Sequence, residues 1–171
     1  MLYVPTPGGV GKIKIGYKAQ MKIMDHEYYM RRALDLAREA GERGEVPVGC
    51  VIVSAAGEIV GRGRNRRLET GSALSHAETE AIGEACHTLG DWRLGGCTLF
   101  VTLEPCPMCA GAIIMSRIST VVYGAREKES GSCASVLNLF AENYPSRPAV
   151  YGGVLAAESA ALLSAFFEKL R

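Results

Sequence analysis

The chain has 171 residues, of which 48% are apolar, 22% charged and 7% aromatic, the size and composition of one ordinary globular domain; a disordered chain, a collagen-like repeat and a small disulfide scaffold are excluded. A domain of this length buries roughly 70% of the surface its unfolded chain exposes, so it needs no staple to fold, and any metal it holds is expected to be functional. With 19 Lys and Arg against 18 Asp and Glu, the net charge gives no whole-protein attraction to nucleic acid or to an anionic membrane.

Residues 1–24 carry two prolines, four glycines and scattered lysines without an apolar stripe, and read as a flexible N-terminal extension, with Met21 or Met24 as alternative starts. They lack the apolar core of a signal peptide, and no later run approaches the roughly 18 apolar residues of a membrane span. The expected compartment is a reducing cytoplasm, where six cysteines are metal ligands, nucleophiles or small core residues. From His26, apolar Met30, Ala33, Leu34 and Ala37 recur at helical spacing, predicting a helix that ends near Gly41 or Gly44. Val46 to Val53 and Glu58 to Arg64 flank a turn-length segment and predict a hairpin. Ser75, three residues before Glu78, is a capping-box signature for a helix to about Leu89. Cys97 to Leu103 and Val121 to Ala125 read as strands joined by a helix from Pro105 to about Arg117, a crossover between parallel neighbours. A short strand over Ala149 to Val154 and a closing helix containing Leu162, Leu163, Phe166 and Phe167 complete the chain. The order predicts a three-layer α/β/α sandwich around one mixed five-stranded sheet, with residues 25–171 as one domain.

Two motifs open helices: His76-Ala77-Glu78 and Pro105-Cys106-Pro107-Met108-Cys109. Two cysteines three apart fall on one face of a turn, and the positive end of the helix dipole favours thiolates there. A catalytic zinc takes three soft protein ligands and leaves a fourth position open; His76, Cys106 and Cys109 supply three. Competing readings attach to each part. Glu78 occupies the position at which a capping box wants Glu for backbone hydrogen bonding. A single C-x-x-C is also the pattern of a redox pair, though without the usual aromatic neighbour here. His87, eleven residues beyond His76 on the same helix and so roughly 16 Å away, cannot share the ion, and Cys86 is hardly nearer. Cys50 and Cys97 lie in apolar strands and read as core, while Cys133, in a loop, is a possible fourth ligand that would close the site. Residues two apart do not share a face of a regular helix, so spacing alone does not bring His76 and Glu78 together.

H-x-E followed by P-C-x-x-C is the known signature of zinc-dependent base deaminases, and its mechanism comes with the signature rather than from the spacing. From Asp25 to Arg171 the chain resembles the bacterial tRNA-specific adenosine deaminases of the cytidine deaminase-like superfamily. The resemblance rests on E-V-P-V-G (45–49), G-R-N-R (63–66), H-A-E (76–78), W-R-L (92–94), V-T-L-E-P-C-P-M-C-A-G-A (101–112), S-R-I (116–118) and L-L-S-A-F-F (162–167). It implies a homodimer that turns the wobble adenosine of a tRNA anticodon loop into inosine with zinc-activated water, one Zn2+ per chain. By the same resemblance His76, Cys106 and Cys109 hold zinc, Glu78 shuttles protons, and Asn65, Val48, Ala77 and Glu127 contact the substrate. Phe166 and Phe167 are weaker carry-overs, since their helical periodicity already reads as core. Glu127 stands where the family usually has Asp, and the family's basic C-terminal tail is almost absent. Arg62, Arg64 and Arg66, beside Asn65, read either as phosphate contacts or as a solvated edge. Two alternatives stay open: a deaminase of free guanine or cytosine, and a non-catalytic zinc-stabilised RNA-binding protein, which needs a fourth protein ligand.

Overall fold

The computed structural model describes residues 25–170; the reading of residues 1–24 lies outside them. Asp25 caps the first helix, α1 (His26–Glu42), by accepting the Tyr28 N–H at 3.0 Å. The hairpin follows as β1 (Gly49–Val53) and β2 (Ile59–Arg64), then α2 (Arg67–Thr70), α3 (Ala77–Leu89), β3 (Thr98–Leu103), α4 (Pro107–Met115), β4 (Thr120–Ala125), β5 (Ala149–Gly152) and α5 (Ala156–Glu168). The short α2 and a single 3-10 turn at Leu139–Ala141 went unpredicted, because neither is long enough to show a period.

The sheet order is β2-β1-β3-β4-β5. β1 runs antiparallel to β2 and β3, while β3, β4 and β5 are parallel, so the mixed sheet and the α4 crossover are as expected. Strand alternation sends Val51, Val53, Phe100 and Val122 to one face, where they pack with Tyr29, Met30, Ala33 and Leu34 of α1 and Leu155 and Leu162 at α5. Cys50, Ile52, Leu99, Val101 and Val121 point to the other face, against Ala77, Ala81 and Ala85 of α3 and Ala110, Ile113 and Ile114 of α4. Both faces are covered, which is why the central strands are apolar throughout. Cys50 and Cys97 are buried in this core.

The strand directions decide where function can sit. The start of β1, the end of β2 and the ends of β3 and β4 all reach the same edge of the sheet. There Asn65 N–H donates to Val48 O at 3.0 Å, and Glu104 N–H to Ala125 O at 2.9 Å. The α3 helix meets this edge because β2 presents glycines to it. A Cβ on Gly63 would lie 2.0 Å from Ala77 O, and one on Gly61 2.3 Å from Ala81 O, so only glycine allows helix backbone to rest on strand backbone.

Candidate metal centre and active site

His76 is the N-cap of α3, with extended backbone (φ −85°, ψ 157°). Its amide N–H donates to Thr79 Oγ1 at 3.2 Å, which corrects the expected cap by one residue: the reciprocal partner is Thr79, not Glu78, and Ser75 lies outside the helix. The shift also resolves the spacing problem. His76 stands before the helix and Glu78 in its first turn, so both can face one site although regular helical geometry would part them. Cys106 is likewise an N-cap, with Pro107 in the first turn of α4, and Cys109 lies one turn into the helix.

The two N-termini bring His76, Cys106 and Cys109 together, with one donor atom from each within 4.8 Å of the others. His76 Nδ1 lies 3.5 Å from Cys109 Sγ and 3.8 Å from Cys106 Sγ. A tetrahedral zinc, with bonds of about 2.0 Å to nitrogen and 2.3 Å to sulfur, requires N···S separations of about 3.6 Å, so the donor set fits one such ion. Cys133, Cys86 and His87 are not in the group. Cys133 is instead buried in the core cluster with Val48 and Ala77, so the fourth position is not closed by a described residue.

The two thiols differ. Cys106 is pulled down to about 4, chiefly by a hydrogen bond from Cys109 and, against the opposing effect of burial, by His76. Cys109 is pushed far up, first by donating to Cys106 and then by burial and the charge of Glu78. The hydrogen bond to Cys106 raises His76. Glu78 is only 4% exposed, and burial raises its carboxyl.

Two loops flank the metal group, each held by a buried acid whose part the sequence reading missed. Glu45 accepts the N–H groups of Leu68 and Glu69, both at 2.8 Å, and so fixes the α2 loop beside Asn65. Glu104 does the same for residues 127–135. Glu127 is partly buried, and its carboxylate accepts the Glu129 N–H at 2.9 Å within that loop. Asn65 is buried; its Nδ2 donates to Val46 O at 3.4 Å, whereas Oδ1 has no partner. It borders a cavity of about 470 Å³ that is also lined by Val46, Leu68, Phe166 and Phe167.

One reading is thereby corrected. Phe166 and Phe167 are not core: they line this cavity, and Phe167 is 47% exposed. The three arginines are engaged in ion pairs. Arg62 pairs with Glu84, Arg64 with Glu39 and Glu69, and Arg66 with Glu69 and Glu80, since α1, α2 and α3 place carboxylates against every one.

Residues 23–125 match the cytidine and deoxycytidylate deaminase zinc-binding region, and the chain belongs to that family. Within it, the chain is 47% identical over 146 residues to the tRNA-specific adenosine deaminase of Bacillus subtilis (strain 168), covering 85% of this chain and 90% of that protein. Among solved structures, one from studies of A-to-I editing by tRNA:A34 deaminases at the wobble position superposes with a TM-score of 0.77 at 43% identity, over 80% of this chain and 99% of the other. A guanine deaminase from Bacillus subtilis superposes less completely, with a TM-score of 0.59 at 40% identity over 62% of this chain and 68% of the other.

Proposed function

We propose that this protein is a zinc-dependent tRNA adenosine deaminase, which hydrolyses the wobble adenosine of an anticodon loop to inosine and releases ammonia. The observation that carries this reading is the three-ligand group at two helix N-termini with a buried carboxylate beside it, in a chain similar along most of its length to tRNA-specific adenosine deaminases. A structural zinc site would be closed by a fourth protein ligand, and Cys133 is not placed to provide one.

His76 Nδ1, Cys106 Sγ and Cys109 Sγ would hold the zinc, which supplies Lewis-acid activation of the attacking water when bound. Glu78, buried and facing the cluster, takes the water proton as attack occurs at C6 of adenine. It delivers that proton to ring N1, then takes the proton of the new C6 hydroxyl and passes it to the amine as the C6–N bond breaks, serving as base and then acid. Val48 and Ala77 wall the base. Asn65 Oδ1, buried and without a partner, accepts a hydrogen bond from the nucleotide, because an orphaned buried acceptor is costly until a ligand satisfies it. By the family resemblance, the Glu127 carboxylate would accept from a ribose 2′-hydroxyl. An anticodon loop suits such a site, since its unstacked bases enter a pocket without the melting of a duplex.

We further assign the protein to the cytoplasm, in keeping with six free cysteines and a tRNA substrate, and to a homodimer. Support for the dimer comes from α4, which carries small and apolar residues around its circumference and leaves Met115 70% exposed. No helix among the described residues is long and apolar enough to cross a membrane. The test of function is mass spectrometry of nucleosides after incubation of the zinc-loaded protein with total tRNA, free adenosine, guanine and cytosine in parallel. Inosine at the wobble position is expected; turnover of a free base alone would assign the protein to the other branch of the family.

A further inference from the structure

We propose that Glu104 is a positioning residue: it braces the loop that walls the active site opposite Asn65, and so sets how tightly the nucleotide is held. The inference deepens the reading of the protein as a tRNA adenosine deaminase and rests on it. Glu104 follows the last residue of β3, and its backbone N–H is fixed to Ala125 O at 2.9 Å. Its side chain is 2% exposed and accepts four hydrogen bonds from one loop. Oε1 takes the N–H groups of Cys133 at 2.7 Å and Ser135 at 3.2 Å; Oε2 takes the Glu127 N–H at 3.2 Å and the Ser135 hydroxyl.

The loop is shaped to reach that carboxylate. Ala134, between the two amides that share Oε1, sits at φ 91°, a conformation alanine adopts only where its surroundings enforce it. A Cβ on Gly131 would lie 2.6 Å from Glu104 Cδ and 2.7 Å from its Oε2, so the backbone closes directly on the acid. From Arg126 to Pro148 the chain has no strand or helix of its own beyond one bridge and one 3-10 turn. Its course is therefore set by tethers such as these, together with Ser132 N–H donating to Pro105 O at 2.9 Å. What the tethers hold includes Glu127, assigned above to the substrate, and Cys133, which belongs to the same core cluster as Val48 and Ala77. Glu127 enters the loop through the amide that Glu104 binds. An isosteric glutamine would turn an amide N–H toward groups that are themselves donors. The zinc ligands sit at the N-termini of α3 and α4, outside the loop itself.

The test uses full-length, zinc-loaded Glu104→Gln and Ser135→Ala proteins, with hydrogen exchange over residues 127–137 and kinetics on an anticodon-hairpin RNA. In Glu104→Gln the loop amides are expected to exchange at least about tenfold faster. KM should rise about tenfold with kcat changed by less than about threefold, at an undiminished zinc content. Ser135→Ala, which removes one bond of four, should move KM the same way by less. Unchanged loop exchange in Glu104→Gln overturns the proposal, as does a loosened loop with unaltered KM. Zinc loss with falling kcat at constant KM also overturns it, by making Glu104 a support of the metal motif. If Glu104→Gln does not fold, unchanged exchange and KM in Ser135→Ala overturn it equally. Failure of the wild type itself to deaminate the hairpin would instead refute the functional reading, while loop exchange still decides whether Glu104 is the brace.

Discussion

Thr79 Oγ1 accepts the backbone N–H of His76 at 3.2 Å and thereby closes the capping box of α3, a part that Glu78 does not play. Two substitutions separate the roles. Glu78→Ala is expected to keep its zinc and its fold and to lose nearly all turnover, because proton transfer is removed while the ligands remain. Thr79→Ala is expected to lower stability by about 1 kcal/mol, the usual worth of such a cap, with turnover largely intact. Thermal melts and single-turnover deamination on both proteins would show the two effects on different residues.

Zinc content should follow the three-residue group. Cys106→Ser and His76→Ala should each empty or weaken the site, since two remaining soft ligands hold the ion poorly. Cys133→Ser should leave zinc unchanged, as its side chain packs in the core. Metal analysis after gel filtration gives the answer, and full zinc in both ligand variants would refute the assignment.

Discrimination of RNA from DNA should depend on Glu127. Glu127→Ala should narrow the ratio of rates on an anticodon hairpin and its DNA counterpart. A carboxylate left desolvated beside DNA, with no 2′-hydroxyl to pair it, costs roughly 1 to 3 kcal/mol, about tenfold or more in discrimination. Glu127→Asp should keep or improve RNA deamination. Rates at fixed salt are the measurement, and an unchanged ratio in the Ala variant would pass the role to Asn65 or to loop shape.

Acid stability should be shaped in part by Glu69. Hydrogen bonds from Arg64 and then Arg66 hold its carboxyl down to about 2, against an ordinary value of 4.5. Since the folded value is the lower one, the stabilisation is fully present above about pH 4.5 and fades as pH falls toward 2. The difference in urea midpoint between wild type and Glu69→Gln should therefore be constant near neutrality and shrink below pH 4.5. The effect is small, because the group is solvent-screened. A constant difference down to pH 2.5 would contradict the pairing.

Association should be legible in mass. Light scattering at micromolar concentration is expected to give a dimer, and Met115→Lys a monomer that retains its zinc, because a charge on an apolar contact face opposes its burial. A monomeric wild type would remove the dimer.

Much of this architecture could be read from the sequence because its periodicities are strong: alternating or continuous apolar strands, and a stripe through Met30, Ala33, Leu34 and Ala37 that α1 buries. The metal group was equally legible, since soft ligands at helix starts have few other uses. What escaped were features fixed by tertiary partners. The cap fell on His76 rather than Ser75 because Thr79 takes the His76 N–H while the Ser75 N–H is already bound to Ser72 O. The ion pairs of Arg62, Arg64 and Arg66 could not be read locally because their carboxylate partners come from other helices as well as α2. Phe166 and Phe167 had the spacing of core residues, yet they line a cavity with Val46, Asn65 and Leu68. Glu45 and Glu104 read as unremarkable acids, since nothing local marks a side chain that will accept amides from a loop more than twenty residues away.

The contact of Gly63 with Ala77 O carries a consequence for the metal itself. With no side chains between strand and helix, there is no compliant layer to absorb a shift of α3, and any displacement passes undamped to its first turn. His76 would then move relative to the cysteine pair, whose seat on α4 is independent. Gly63→Ala would thus alter the bite of the ligand triangle, and with it the preference for zinc over metals of other coordination size, although residue 63 never approaches the ion.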